Sequence, residues 1–188
     1  MQLLTLLASP RPEGNTAKIL GWVETALADA GHTTDRIDLS KLEIGGCRSC
    51  FACEQSKDAP GCVLQDDAQG VFERMIAADA ILFATPLYMW SYAAQLKTLL
   101  DRTLCLARGY TTAEHRSFVQ GKPAALLVSC GGGIDGNADA IQQIYPRVAD
   151  YMRLDDRGPW VFPNCTTPED LPAELKTKAQ DLAAALVG

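Results

Sequence analysis

Four cysteines share one polar stretch of the chain, and their spacing is the pattern most suggestive of chemistry. Cys47, Cys50 and Cys53 are separated by two residues each, and Cys62 follows after eight more. Thiolates spaced in this way can surround one compact inorganic centre, so the four are predicted to ligate a [4Fe–4S] cluster. Structural zinc is disfavoured, because zinc thiolates usually come as two separated pairs. Free or reversibly oxidised thiols without metal remain an alternative.

A second group of polar residues directly follows the first apolar run of the chain. Ser9, Arg11, Gly14, Asn15 and Thr16 lie where a strand is expected to lead into a helix. The N-terminus of a helix offers unpaired backbone N–H groups and the positive end of the helix dipole, which suit a phosphate. An ordinary turn capped by Asn15 is the alternative. The loop contains neither Gly-x-Gly-x-x-Gly nor a Gly-Lys-Ser/Thr motif, so it is not a dinucleotide fingerprint or a Walker A loop.

Two further loops carry residues suited to a planar heteroaromatic ring. The first combines a proline with aromatic side chains, and the second places a cysteine before a run of glycines. Apolar faces together with bare backbone are typical of such pockets, although aromatic side chains at these positions could equally cover the core or meet another subunit. The predicted ring-binding residues are Pro86, Leu87, Tyr88, Met89, Trp90, Cys130, Gly131 and Gly132.

The elements that must position these loops alternate between apolar runs and helical periodicities. Five strands are expected at residues 2–8, 33–39, 80–85, 124–129 and 160–162, with a helix after each. Strict alternation predicts a three-layer αβα sandwich around a parallel sheet, in the flavodoxin-like order 2-1-3-4-5. Residues 1–188 are predicted to form one domain with a cysteine-rich loop at about 40–66. Pro146 is expected to kink or break the fourth helix.

Composition narrows the class of protein. The chain has 188 residues, of which 47% are hydrophobic, and a net charge of −6. A negative charge disfavours binding to nucleic acid or to an anionic membrane. Neither a membrane span nor a signal peptide is evident, so a cytoplasmic location is expected. Seven cysteines in such a chain are expected to be reduced, with Cys105 and Cys165 in the core.

The combined motifs resemble those of a known family. Ser9-Pro-Arg-Pro-Glu-Gly-Asn-Thr16 is similar to the FMN-phosphate loop of the NADPH-dependent FMN reductase family. Pro86-Leu-Tyr and Lys97-Thr-Leu-Leu-Asp-Arg102 resemble the next segment of the same family, and the cysteine stretch resembles its iron–sulfur flavoprotein branch. From spacing alone, Lys97, Asp101 and Arg102 are expected at the helix surface or in a subunit contact.

The resemblance implies an FMN-dependent oxidoreductase with a flavin-centred site. It implies a homodimer or homotetramer, with Ser9 to Thr16 at the phosphate and the two later loops at the isoalloxazine ring. NAD(P)H is a possible electron donor, and electrons could pass between a [4Fe–4S] cluster and FMN on their way to a small-molecule or protein redox partner. The alternatives are a cluster-free NAD(P)H-dependent FMN, quinone or azo reductase, a flavodoxin-like electron carrier and a thiol-based redox sensor.

Overall fold

The fold is built on one parallel sheet of five strands. A computed structural model describes residues 1–56 and 58–188. The sheet contains β1 (Gln2–Leu7), β2 (Thr33–Asp38), β3 (Ala80–Pro86), β6 (Pro123–Ser129) and β7 (Asp155–Phe162), in the order β2-β1-β3-β6-β7. Counting only these five strands, the order is the predicted 2-1-3-4-5. The predicted five-stranded parallel sheet is therefore confirmed.

The three central strands are the ones that the sequence marks most clearly. Leu3 to Leu7 of β1, Ala80 to Ala84 of β3 and Ala124 to Val128 of β6 are all at most 1% exposed. A strand covered by helices on both sides requires apolar residues at every position, which produces a continuous run rather than an alternating one. The same burial on both faces fixes the strands against each other in register.

Helices cover the sheet on both faces and give the three layers. One face packs against α1 (Asn15–Asp29) and α5 (Glu174–Val187), and the other packs against α2 (Ala68–Ala77), α3 (Ala94–Asp101) and α4 (Asp139–Tyr151). None of the helices in the described ranges combines the length and the apolar character needed to span a membrane.

Two expectations about element boundaries need correction. Pro146 was expected to kink or break the fourth helix, and of these two outcomes the break does not occur, because α4 runs from Asp139 to Tyr151 with Pro146 inside it. Pro146 removes one helical hydrogen bond, while Ile141, Tyr145 and Ala149 bury the apolar face of the helix and hold it in place. The last strand is longer than the predicted 160–162, because β7 begins at Asp155 and contains a register shift against β6. As an edge strand it tolerates Gly158 and Pro159, which hide the strand pattern in the sequence.

The long segment between β2 and α2 contains little regular structure. It holds two short 3-10 turns, at Leu39–Lys41 and Ala52–Gln55. A third 3-10 turn (Thr103–Leu106) and a small antiparallel ribbon of β4 (Ala107–Arg108) and β5 (Arg116–Ser117) follow α3. Arg108 donates to the carbonyl of Ala59 at 2.6 Å, so the ribbon region supports the cysteine-rich loop.

Candidate functional site

A cavity of about 220 Å³ lies beyond the carboxyl ends of the central strands. Its walls combine the loops that follow β1, β3 and β6, and ten of the thirteen predicted cofactor residues line it: Ser9, Arg11, Gly14, Asn15, Thr16, Pro86, Leu87, Tyr88, Cys130 and Gly131. The three that do not line it are Met89, Trp90 and Gly132. Since parallel strands place their carboxyl ends at one edge, loops far apart in the sequence converge here.

The N-terminus of α1 forms one wall of this cavity. Gly14 is the N-cap residue and supplies no capping side chain, and the first turn contains no acidic residue. The first N–H groups of an α-helix have no partner inside the helix, and the helix dipole makes this end positive. The wall is therefore suited to an anionic group.

Gly14 is required here by close contact rather than by an unusual backbone conformation. A Cβ atom on Gly14 would lie 2.9 Å from Cβ and 3.3 Å from the carbonyl oxygen of Arg11. The Ser9 hydroxyl accepts from the Arg11 N–H at 3.1 Å and lies 3.2 Å from the Arg11 carbonyl oxygen. The loop is thus folded tightly against itself, and its shape depends on a glycine at this position.

Asn15 connects the start of α1 to the loop after β7. Its Nδ2 donates to the carbonyl oxygens of Cys165 at 3.1 Å and Thr166 at 3.3 Å. Its Oδ1 is buried and has no hydrogen-bond partner within the described residues. Beside it, the hydroxyls of Thr16 and Ser129 are buried and 2.7 Å apart. A bound group with hydrogen-bond capacity would find both an unsatisfied acceptor and adjustable hydroxyls.

The loop after β6 contributes a buried thiol and exposed glycines. The Cys130 sulfur lies 3.4 Å from the carbonyl oxygen of Gly132, and burial raises the pKa of this thiol. Burial is the main cause that raises the pKa of Cys165 to about 11, and the nearby Cys130 thiol contributes less. Both thiols are therefore protonated at neutral pH and are poor nucleophiles. A Cβ on Gly132 would meet the Asn137 amide nitrogen at 3.1 Å, so this exposed glycine lies close to the Asn137 side chain.

The loop after β3 has a lining part and a projecting tip. Pro86, Leu87 and Tyr88 lie along the cavity. Met89 and Trp90 form a two-residue turn closed by hydrogen bonds between the backbones of Tyr88 and Ser91, and both have positive φ values, of 47° and 61°. Met89 is 82% exposed, so the tip stands clear of the protein surface beside the cavity.

Three residues lining the cavity were missed by the sequence reasoning. They are Ser129, Cys165 and Thr166. Ser129 is the last residue of β6 and could have been found as the residue immediately before Cys130. Cys165 and Thr166 follow the edge strand β7, and no sequence motif marks them.

The cysteine-rich loop forms a second, separate cavity. Cys47, Cys50, Cys53 and Cys62 all line a space of about 30 Å³, and it shares no lining residue with the first cavity. Its walls are largely apolar and include Cys105, which is 1% exposed. The predicted burial of Cys105 and of Cys165 is confirmed.

The four thiols suit an iron–sulfur cluster in their chemistry and in their common cavity. Cys53 and Cys62 are half-buried in this cavity, and burial is the main cause that raises the pKa of Cys53. Yet across residues 1–56 and 58–188, no three Asp, Glu, His or Cys side chains are gathered closely enough to hold a metal ion. The four cysteines are thus suitable ligands for a cluster, but their sulfur atoms would have to move closer together to bind one.

The side chain of Arg102 does not lie where the sequence predicts. It was expected with Lys97 and Asp101 at the helix surface or in a subunit contact, but its side chain is fully buried. It pairs with Asp66 and donates to the Cys62 sulfur at 3.2 Å. Lys97 and Asp101 do form the expected exposed pair, at 2.6 Å. No sequence pattern reveals that Arg102 points inwards, because its partners lie 36 to 57 residues earlier in the chain.

The Arg102 pair also shapes the ionisation of Asp66. Partial burial by itself would raise the pKa of this carboxyl group. Hydrogen bonds from Arg102 and from the backbone N–H groups of Gly45 and Ala68 outweigh burial and hold the pKa of Asp66 below its ordinary value. The carboxylate is therefore charged throughout the physiological range and satisfies a guanidinium that would otherwise be buried alone.

Comparison with known proteins agrees with the geometry of the site. Residues 1–165 match the sequence model of the family described as NADPH-dependent FMN reductase. An iron-sulfur flavoprotein from Methanosarcina thermophila is 34% identical over 155 residues, covering 82% of this chain and 74% of that protein. Another iron-sulfur flavoprotein, from Methanocaldococcus jannaschii, is 33% identical over 146 residues, covering 77% and 70%.

Solved structures share the fold. An NAD(P)H:quinone oxidoreductase from Methanothermobacter marburgensis superposes with a TM-score of 0.74 at 20% identity, covering 100% of this chain and 98% of that chain. This structure confirms the flavodoxin-like fold. The family match confirms FMN as cofactor and the class of NAD(P)H-dependent oxidoreductase. Because the family match extends over most of its 188 residues, the chain belongs to the NADPH-dependent FMN reductase family.

Proposed function

We propose that the protein binds FMN in the cavity at the carboxyl edge of the sheet and carries a [4Fe–4S] cluster in the cysteine-rich loop. The observation that carries the FMN site is the uncapped N-terminus of α1, which faces a cavity with polar walls. When bound, FMN would supply hydride and electron transfer, and a cluster would supply transfer of single electrons to or from FMN. The chain's own residues bind, orient and shield these groups.

The phosphate end of FMN is assigned to the loop from Ser9 to Thr16. The unpaired backbone N–H groups of the first turn of α1 would donate to a phosphate in this cavity, and the Thr16 and Ser129 hydroxyls can turn to donate to it as well. Arg11 is exposed at the mouth of the cavity and can form charge-assisted bonds with phosphate oxygens. Asn15 holds the loop after β7 against this site.

The isoalloxazine end is assigned to the loops after β3 and β6. Pro86, Leu87 and Tyr88 offer one border, and Cys130 and Gly131 offer the other. The neutral thiol of Cys130 adds bulk without charge. We place Met89, Trp90 and Gly132 at the rim, where the exposed tip can cover a bound ring or its substrate.

The cluster is assigned to Cys47, Cys50, Cys53 and Cys62. The support is the shared apolar cavity and the names of the two iron-sulfur flavoproteins that resemble this chain. Apolar walls limit solvent access and so affect the reduction potential of such a centre.

A cluster-free NAD(P)H-dependent reductase acting on FMN, quinones or azo compounds is the second candidate function. The observation that favours it is the absence of any compact group of three metal-ligating side chains across the described parts of the chain. A relative from Methylobacterium radiotolerans named FMN-dependent NADH:quinone oxidoreductase, 26% identical over 149 residues, also agrees with it. Iron and acid-labile sulfide per chain in anaerobically prepared protein distinguish the two.

The FMN site is tested by replacing one amide with a carboxylate. Asn15→Asp removes the Nδ2 donor and places a negative charge beside the phosphate, so FMN should bind at least about tenfold more weakly, a loss of about 1.4 kcal/mol or more. Asn137→Asp is the matched control, because Asn137 lies on the same edge but does not line the cavity. Titration of apoprotein with FMN measures both, and equal affinities for the two variants would contradict the assignment.

We further propose that the protein is a single domain over residues 1–188, acts in the cytoplasm and assembles as a homodimer or homotetramer. The assembly is supported by a cavity of about 340 Å³ between α3 and α4, whose walls include Leu100, Ile144 and Val148. Half-buried apolar side chains clustered on one face are typical of subunit contacts. Light scattering of the purified protein measures the mass, and a monomer would contradict the assembly.

A further inference from the structure

Arg102 lies immediately after α3, and its side chain passes beneath the cysteine-rich loop. The guanidinium is fully buried, whereas its ion partner Asp66 is 18% exposed at the side chain. Buried arginines are rare unless paired, so the position of this one calls for a reason. The centroid of the buried Phe72 ring lies 5.9 Å from the guanidinium carbon.

The contacts of Arg102 tie together both ends of the loop. Its Nη1 donates to Asp66 Oδ1 at 2.6 Å and to the Gly45 carbonyl oxygen at 3.3 Å. Its Nη2 donates to the Cys62 sulfur at 3.2 Å and lies 3.5 Å from the Leu64 carbonyl oxygen. A planar guanidinium can satisfy several acceptors in fixed directions, which an ammonium group cannot do.

The contact with sulfur distinguishes Arg102 from an ordinary structural arginine. Of the four cysteines in the loop, Cys62 is the one most distant in sequence from the other three, and it packs against the core. Across the described residues, the Arg102 contact is the one hydrogen bond from a side chain to a sulfur of these four. A charged donor beside a thiolate both fixes its position and withdraws negative charge from it.

We propose that Arg102 is a positioning residue that fixes Cys62 as the fourth sulfur ligand and donates an N–H···S hydrogen bond to it in the loaded protein. The inference rests on the proposed [4Fe–4S] cluster. Hydrogen bonds to ligand sulfurs stabilise the more negative, reduced state of a cluster and raise its reduction potential. Arg102 should therefore affect both the retention of iron and the potential.

Arg108 provides a matched control within the same region. It donates to the carbonyl oxygens of Cys105, Ala107 and Ala59, so it supports the same loop through backbone contacts. Among residues 1–56 and 58–188, none of the hydrogen bonds of the Arg108 side chain reaches a sulfur. Arg102→Lys and Arg108→Lys both keep the positive charge and lose the planar fork.

The experiment compares anaerobically reconstituted wild type, Arg102→Lys and Arg108→Lys with FMN bound. Arg102→Lys is expected to lose iron to a chelator several-fold faster and to shift the midpoint potential, followed by EPR, to more negative values. Arg108→Lys is expected to match the wild type in potential. Equal potentials and equal iron loss in the two variants would overturn the role of Arg102 while leaving the cluster in place. A wild type that takes up no iron would overturn the proposed cluster and this inference together.

A second measurement requires no substitution at Arg102 and so does not depend on that variant folding. Protein grown with ¹⁵N-labelled arginine is reduced, and pulsed EPR detects nitrogen nuclei coupled to the cluster. A coupling is expected in the wild type and, unchanged, in Arg108→Lys and in Arg48→Lys, which removes the other labelled arginine that lines this cavity. No arginine coupling in the reduced wild type would overturn the N–H···S bond.

Discussion

The proposed FMN cavity and the cysteine cavity are held together in different ways. The walls of the FMN cavity come from the ends of β1, β3, β6 and β7, whose positions are fixed by backbone pairing across the whole sheet. The cysteine cavity lies in a segment with short 3-10 turns and few backbone pairings, and it is tied down by Arg102 and Arg108. One site is thus a property of the fold, and the other depends on individual side chains.

The two sites are therefore expected to tolerate different substitutions. Removing one side chain from the sheet edge leaves the strand ends in place, because the buried core holds them. Removing Arg102, which contacts the loop from the end of α3, leaves buried acceptors and a carboxylate without their partner. We therefore expect FMN binding to survive changes in the loop, and the loop to be the less robust of the two regions.

The largest effect is expected from Arg102→Met. Removing one partner of a buried ion pair costs about 3 to 5 kcal/mol, so the free energy of unfolding should fall by that amount. Urea unfolding measures the change. Lys97→Met is the control, since the exposed pair of Lys97 with Asp101 is worth about 1 kcal/mol or less. A loss no larger than that of the control would mean that the loop does not depend on this pair.

The next largest effect is expected when glycine is replaced by valine in the phosphate loop, compared with the same replacement in the cysteine-rich loop. Gly14→Val places a Cβ 2.9 Å from the Arg11 Cβ, so the phosphate loop must shift and FMN should bind about tenfold or more weakly, as measured by FMN titration. Gly46→Val, beside Cys47, meets nothing within 4 Å and should leave FMN affinity unchanged. If both variants weaken FMN equally, the two sites are not independent.

A smaller effect is expected from pH. Because the pKa of Asp66 is lowered in the folded state, its ion pair adds stability above the ordinary carboxyl pKa of 3.8, and this stability is lost as the pH falls through the folded pKa. Unfolding by urea between pH 3 and pH 6 should show the wild type losing more stability on acidification than Asp66→Asn. Parallel curves for the two proteins would contradict the contribution of this carboxylate.

The smallest effect concerns the tip beside the FMN cavity. Met89 has a positive φ of 47°, a conformation that costs a residue with a side chain about 1 kcal/mol. Met89→Gly should therefore raise the melting temperature of the apoprotein slightly, by relieving up to about 1 kcal/mol. Tyr88→Gly, one residue earlier and without a positive φ, should lower it. A lower melting temperature for Met89→Gly would show that the turn is not strained.

The same contrast explains what could be predicted from the sequence. The strands β1, β3 and β6 were found because burial on both faces leaves unbroken apolar runs. Ten of the predicted cofactor residues line one cavity because parallel strands end at one edge. The burial of the Arg102 side chain could not be predicted from the sequence, because its contacts join residues 36 to 57 positions apart. The two-residue strands of the ribbon and the Gly158–Pro159 part of β7 carry no periodic signal.

The most direct test of the account is the binding of FMN to freshly purified protein at the edge defined by Ser9 to Thr16. We expect about one FMN per chain in the wild type, from the visible spectrum and flavin analysis, and a clearly weaker association in Asn15→Asp than in Asn137→Asp. Colourless wild-type protein that takes up no added FMN would contradict the account.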